Sequence, residues 1–148
     1  MENKVVVRFT MMEGCDDLVP AKAHHDDAAY DIRARAEVEL VPRKPVLVPT
    51  GLFLELPIGY EAQIRPRSGM ALKHALTVPN SPGTIDAGYR GEVSVIVLNA
   101  GDESYHVKRG ERIAQMVISK LPDVEMVQVE TLTESKRGAG GFGSTGKH

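Results

Sequence analysis

An all-β fold with one short helix is what this sequence predicts, on three observations. Short runs rich in valine, isoleucine, leucine and aromatics recur along the chain, punctuated by Pro, Gly, Asn and Asp. One segment only, "GMALKHAL" (Gly69 to Leu76), reads as helix, about two turns long, with Ser68 expected to cap it. No strand–helix–strand rhythm appears, which argues against a parallel α/β sheet. Many short strands without a helical layer leave a sandwich, a jelly roll or a small barrel. The 148 residues suffice for one domain with a real core, and a chain 42% hydrophobic and 26% charged is not wholesale disordered.

In chain order the expected strands are "KVVVRF" (Lys4 to Phe9), "EVEL" (Glu37 to Leu40), "PVLV" (Pro45 to Val48) and "GLFLELP" (Gly51 to Pro57). "YEAQIRP" (Tyr60 to Pro66) alternates, with Ala62 and Ile64 on one face and Glu61, Gln63 and Arg65 on the other. "EVSVIVLN" (Glu92 to Asn99) has a "VSVIVL" centre apolar on both faces, so burial on both sides is expected. "YHVK" (Tyr105 to Lys108) and "RIAQMVIS" (Arg112 to Ser119) complete the set. The end, "RGAGGFGSTGKH" (Arg137 to His148), has five glycines in twelve residues and can build no core. The expected organisation is a β domain over 1–136 and a flexible glycine-rich segment over 137–148.

Composition narrows the function. A formal net charge of -2 argues against a non-specific nucleic-acid binder. The single cysteine, Cys15, has no partner for an internal disulfide, which suits a reducing compartment. No apolar run approaches the roughly 20 residues that span a bilayer, and "MENKVVVRFT" lacks the pattern of a secretion signal. The expectation is a cytoplasmic protein with no membrane or nucleic-acid partner.

Three segments carry candidate chemistry. In "IRPRSGMALKH", Ser68 and Gly69 open the helix, whose first N–H groups suit an anion, and Arg67 adds a donor fork matched to phosphate. Alone, the segment is equally an ordinary strand-to-helix turn. In "NSPGTIDAGYRGEV", Asp86 stands at the base of a turn-dense hairpin, where a carboxylate can act as general base toward water, and Tyr89 supplies a flat ring. Turn hydrogen bonding by Asp86 is the competing reading. In "GERIAQM", Gln115 is a polar side chain among apolar neighbours, expected on the face of Ile113 and Val117, and its amide needs a partner, ligand or backbone. By contrast "HHDD" (His24 to Asp27) is consecutive, so its side chains diverge in an extended chain, unlike the separated ligands of a zinc site. The nearby acidic residues read as solvated surface.

Together, "AAYDI" (Ala28 to Ile32), "PRSGMA" (Pro66 to Ala71), "GTIDAGYRGE" (Gly83 to Glu92), "GERIAQ" (Gly110 to Gln115) and "RGAGGFGSTG" (Arg137 to Gly146) resemble, in sequence and order, the five motifs of the trimeric dUTP diphosphatases. The resemblance implies a jelly-roll-like β-barrel, a homotrimer with sites shared between chains, and hydrolysis of dUTP to dUMP and pyrophosphate. That activity would limit uracil in DNA and supply dUMP for dTMP synthesis. It further implies that Asp86 activates the attacking water and that Tyr89 packs under the deoxyribose and excludes a 2′-hydroxyl. Asn80 with Gly83, Thr84 and Ile85 would read uracil. Arg67, Ser68, Gly69 and Gln115 would hold phosphates. In the terminal segment Arg137 would bind the γ-phosphate, Phe142 would stack on uracil, and Ser144 and Thr145 would add phosphate contacts, making a lid. The implied cofactor is Mg²⁺, held mainly by substrate phosphates, with Asp31 reaching it through water. Two other readings stand beside this one. A dCTP deaminase-type relative shares the fold but is usually longer and lacks the glycine-rich end, and a non-catalytic nucleotide-binding regulator would keep only the scaffold.

Overall fold

The structure, a computed structural model, describes residues 4–143. Its strands are β1 (Arg8–Met11), β2 (Tyr30–Arg33), β3 (Val38–Leu40), β4 (Val46–Glu55), β5 (Tyr60–Arg65), β6 (Leu76–Thr77), β7 (Gly83–Ile85), β8 (Glu92–Asn99), β9 (Tyr105–Val107) and β10 (Arg112–Lys120). Helix α1 (Ser68–His74) lies between β5 and β6, and a single 3-10 turn covers Asp16–Leu18. Two four-stranded sheets, ordered β1-β4-β8-β6 and β2-β10-β5-β7, turn their inner faces to one core, and β3 pairs with β9 in a two-stranded sheet. Every pairing between named strands is antiparallel. Leu52, Val93 and Val95 of the first sheet meet Ile32, Ile64 and Met116 of the second in a single buried cluster. This is the all-β, jelly-roll-like arrangement that the strand pattern and the motifs predict.

The alternation expected in "YEAQIRP" is present: Ala62 and Ile64 are buried, while Glu61 and Gln63 are half-buried and Arg65 exposed. The strand "EVSVIVLN" matches β8 end to end. Its burial differs from the expectation. Val93, Val95, Val97 and Asn99 are buried, but Glu92, Ser94, Ile96 and Leu98 are only half-buried, because the second sheet covers one face alone. Leu47, on the neighbouring strand, is 63% exposed and marks the same uncovered side.

"PVLV" and "GLFLELP" are not two strands but one, β4, which runs through Pro49. A break in the register against β8 between Pro49 and Leu52 accommodates the proline, which has no N–H to give the ladder. Helix α1 begins at Ser68, with Arg67 as the flanking residue and no side-chain cap, so Ser68 lies inside the first turn rather than capping it. Ala75 adopts a left-handed conformation after the helix, and the chain continues as β6, so the expected helical Leu76 is a strand residue. The first strand starts at Arg8; Val5 and Val6 precede it and are exposed. β2, β6 and β7 are two to four residues long, too short to show periodicity in sequence.

At the break in β4, Gly51 adopts φ +74° and lies against Cys15, whose Sγ is 2.9 Å from where a Cβ at Gly51 would sit. Cys15 is a buried free thiol. Beyond β10, residues 121–143 form no helix or strand, and Met126 and Leu132 are 90% and 87% exposed. Among the described residues no helix is long and apolar enough to cross a membrane.

Asn99 closes the core's polar accounting. Its amide donates to the carbonyls of Leu40 (2.9 Å) and Glu103 (2.8 Å), and its oxygen accepts from Gly101 N–H at 2.9 Å. It is 1% exposed, so truncation leaves these groups without a partner. Asn99→Ala is expected to lower unfolding free energy by roughly 3 kcal/mol in urea titrations. A change within about 0.5 kcal/mol, the usual range of neutral surface substitutions, would contradict this account.

Candidate active site

The chain leaves β7 in one sheet and enters β8 in the other through the loop Asp86–Gly91. A turn closes the loop, with Tyr89 N–H donating to the Asp86 carbonyl at 3.1 Å. The Arg90 guanidinium donates to the Ala87 carbonyl at 2.6 Å. The result is a cleft of about 320 Å³ lined by Asn80, Thr84, Ile85, Asp86 and Tyr89, with Leu47, Ser94 and Ile96 among its apolar and small walls. Five residues singled out from sequence thus share one cavity. Gly83 is buried beside them, in contact range of the Asn80 amide. The Ser81–Pro82 peptide bond in this hairpin is cis. Asp86 is exposed to the cleft, where a carboxylate can accept a proton from water.

A second group lies where β5 leads into α1. The first helical bond runs from Ala71 N–H to the Arg67 carbonyl at 3.0 Å, so the amides of the opening turn stay outside the helical ladder. Arg67 Nε lies 3.3 Å from Asp31 Oδ1, and Arg112 Nη1 lies 3.4 Å from Asp31 Oδ2. One carboxylate on β2 therefore holds two guanidiniums, leaving the group one positive charge in excess. Gln115 is half-buried on β10, and its amide donates to the Pro66 carbonyl at 2.9 Å. A register shift between Arg112 and Ala114 interrupts the alternation, so Ile113 is buried next to Ala114 and Gln115 does not share its face. The expectation that Gln115 sits with Ile113 fails at this bulge. Arg65 is occupied elsewhere, donating to Gln63 Oε1 at 2.6 Å on the outer face of β5.

The dUTPase family model matches residues 18–146. The chain belongs to the dUTPase family. A deoxyuridine 5'-triphosphate nucleotidohydrolase of Gloeothece citriformis is 53% identical over 129 residues, covering 87% of this chain and 89% of that protein. One from Caulobacter vibrioides is 48% identical over 147 residues, covering 96% and 95%. Among solved structures, the dUTPase of Staphylococcus bacteriophage 80alpha with dUPNHPP superposes with a TM-score of 0.87 at 29% identity, covering 95% of this chain and 98% of that one.

Among the described residues of this dUTPase-family chain, the Asp86 cleft is lined by none of Asp31, Arg67, Gln115, Arg137 and Phe142. Arg137 donates to the Gly140 carbonyl within its own turn, and Phe142 is fully exposed with φ 52°. Ser144 and Thr145 lie outside the described residues. "HHDD" forms a local turn, with His24 N–H donating to Asp27 Oδ2 at 2.8 Å. Among the described residues no group of three His, Cys, Asp or Glu side chains is arranged to hold a metal.

Sequence reasoning missed the support beneath the hairpin. Arg35 donates to Glu92 through Nε (2.6 Å) and Nη2 (3.2 Å), and Gly51 N–H donates to the same carboxylate at 2.8 Å. Glu92 falls within a quoted motif, and its position at the mouth of an apolar strand was the available signal. The Arg35 hydrogen bonds, aided by the Gly51 amide, hold the Glu92 carboxyl below its ordinary value of 4.5. A depressed folded-state value means that the stabilisation is complete above 4.5 and is lost as pH falls through the folded value. Lowering pH below 4.5 is therefore expected to destabilise the wild type more steeply than Glu92→Gln, which has no carboxylate to protonate. Parallel acid-denaturation curves would refute this.

Proposed function

We propose that this chain hydrolyses dUTP to dUMP and pyrophosphate, with Asp86 as the general base. The observation that carries the reading is the cleft in which Asp86, Tyr89 and Asn80 converge, together with the names of the close relatives. In this mechanism a water oxygen forms a bond to the α-phosphorus in line with the leaving group. Asp86 takes the proton, the bond to the bridging oxygen breaks, and pyrophosphate departs with the electron pair. Asn80 and the β7 backbone from Gly83 to Ile85 read the uracil edge, and a narrow hairpin rejects a thymine methyl. Tyr89 lies where the sugar packs and leaves no room for a 2′-hydroxyl.

The phosphates go to Arg67, Ser68, Gly69 and Gln115. The surplus positive charge of the Arg67–Arg112–Asp31 group supports this, as does the open first turn of α1. The residues fit Mg²⁺ that arrives with the triphosphate: a single carboxylate, Asp31, retains lone pairs to accept from a metal-bound water, and no protein cage is needed. The metal would supply charge neutralisation for the phosphates. Residues 137–148 act as a lid, Arg137 on the γ-phosphate, Phe142 over the base, and Ser144 and Thr145 on phosphates.

Three chains assemble, and each site draws on neighbours. The uncovered face of β8 and Leu47, the exposed apolar side chains after β10, and a cleft whose own lining does not include the Arg67 group all support this. Limiting uracil in DNA and supplying dUMP for dTMP synthesis follow from the activity, and a cytoplasmic site of action suits it. The deaminase alternative would release ammonia from dCTP, and a regulator would bind without turnover.

Asp86→Asn should retain dUTP binding and lower kcat by about a hundredfold or more, read by pyrophosphate release. Near-wild-type turnover would remove Asp86 from the role of base. A chain ending before Arg137 should fold and assemble yet show little activity. Mixing it with Asp86→Asn chains should restore activity, since one composite site is then whole. Mixed assemblies confirmed by mass spectrometry but still inactive would rule out sharing.

A further inference from the structure

Tyr89 is 47% exposed, so surrounding packing does not hold its ring. Two local features do. Its hydroxyl donates to the Glu92 carbonyl at 2.9 Å, folding the side chain back along the hairpin. The ring end then lies over Gly91, where an added Cβ would fall 2.4 Å from Oη, 2.6 Å from Cζ and 2.9 Å from Cε1. Gly91 is not among the glycines with positive φ, so its lack of a side chain is demanded by the ring and not by the backbone conformation.

The acceptor for that hydroxyl is itself pinned. Glu92 pairs with Phe53 across the β4–β8 ladder. Its carboxylate takes two bonds from Arg35 and one from Gly51. Arg35 is also tied by its backbone, its N–H donating to the Pro49 carbonyl at 2.9 Å. A chain of directional contacts thus runs from the β4 bulge through Glu92 to the Tyr89 hydroxyl.

We infer that Gly91 and the Arg35–Glu92 ion pair are positioning residues that fix the Tyr89 ring, and thereby set how strictly the enzyme refuses a ribonucleotide. The inference rests on the reading of Tyr89 as the sugar gate. An Ala at position 91 displaces the ring by a steric clash. Loss of the hydroxyl or of the Glu92 carboxylate frees the ring to swing. Each opens space beside C2′ of the sugar, and a misplacement of about 1 Å at such a contact is worth up to roughly a hundredfold.

The test is the ratio of kcat/KM for dUTP to that for UTP, two substrates that differ only at the 2′-position. Gly91→Ala and Tyr89→Phe are each expected to lower the ratio roughly tenfold to a hundredfold, through gained UTP turnover. Glu92→Ala should lower it in the Tyr89 enzyme but add nothing in the Tyr89→Phe background, because the tether it supports is already gone. Glu92→Gln, whose amide oxygen still accepts from Gly51 N–H, should restore part of the loss. A general loosening would lower turnover of both nucleotides and would not produce that non-additivity. A folded Gly91→Ala enzyme with the wild-type ratio overturns the inference. If Gly91→Ala does not fold, additive effects of Glu92→Ala and Tyr89→Phe on the logarithm of the ratio overturn it. Tyr89→Ala separates the two levels: continued refusal of UTP by that variant sinks the gate itself. Admission of UTP by Tyr89→Ala, with the other variants still as strict as wild type, sinks only the positioning role.

Discussion

The seam between β4 and β8 is the constraint on which the rest depends. These are the two inner strands of the first sheet, and their inward side chains supply much of the core. The seam is also where the ladder is deliberately broken. Between Pro49 and Leu52 the register shifts, and the residues released by the break are turned to new use. Thr50, 2% exposed, gives its hydroxyl to the Val93 carbonyl and accepts from Leu52 N–H at 3.2 Å. Gly51 gives its amide to the Glu92 carboxylate. Both contacts fall on the first residues of β8, directly after the Asp86–Gly91 loop. The packing of the core and the geometry of the cleft are therefore set by the same few bonds.

Much of this was legible in the chain. Strand content, the alternation of β5, the full extent of β8 and the position of the helix all follow from side-chain type and period. The motif residues around Asp86 and Tyr89 do converge on a cavity. What remained hidden has physical reasons. Pro49 reads as a strand end, since proline donates no ladder bond, and only the three-dimensional register reveals a bulge that absorbs it. Two-residue and three-residue strands such as β6 and β7 are defined by their partners, Leu98 and Gln63 among them, rather than by their own pattern. The exposure of Ile96 depends on whether anything covers that face, which no local pattern records. Glu92 looks like a solvated charge beside a turn. Its role depends on Arg35, distant in sequence, and on a backbone amide that has no sequence signature at all.

Electrostatically the two residue groups differ in kind. Around the hairpin the cleft is framed by a hydroxyl ring, an amide, two carboxylates and apolar walls. Around Asp31 two guanidiniums face one carboxylate, an environment for anions. The side chains of Arg67 and Asp31 are 25% and 23% exposed, so their pairing is partly sheltered and keeps the fork of Arg67 ordered.

The buried thiol gives the seam a built-in clock. Cys15 is 6% exposed and fills the space over Gly51, so the folded chain presents almost none of this residue to a disulfide-exchange reagent. Labelling then requires the Cys15 turn and Gly51 to part, and where reaction outpaces reclosing its rate counts those openings and not merely collisions at the surface. As the chain has a single cysteine, the count is free of any second reporter.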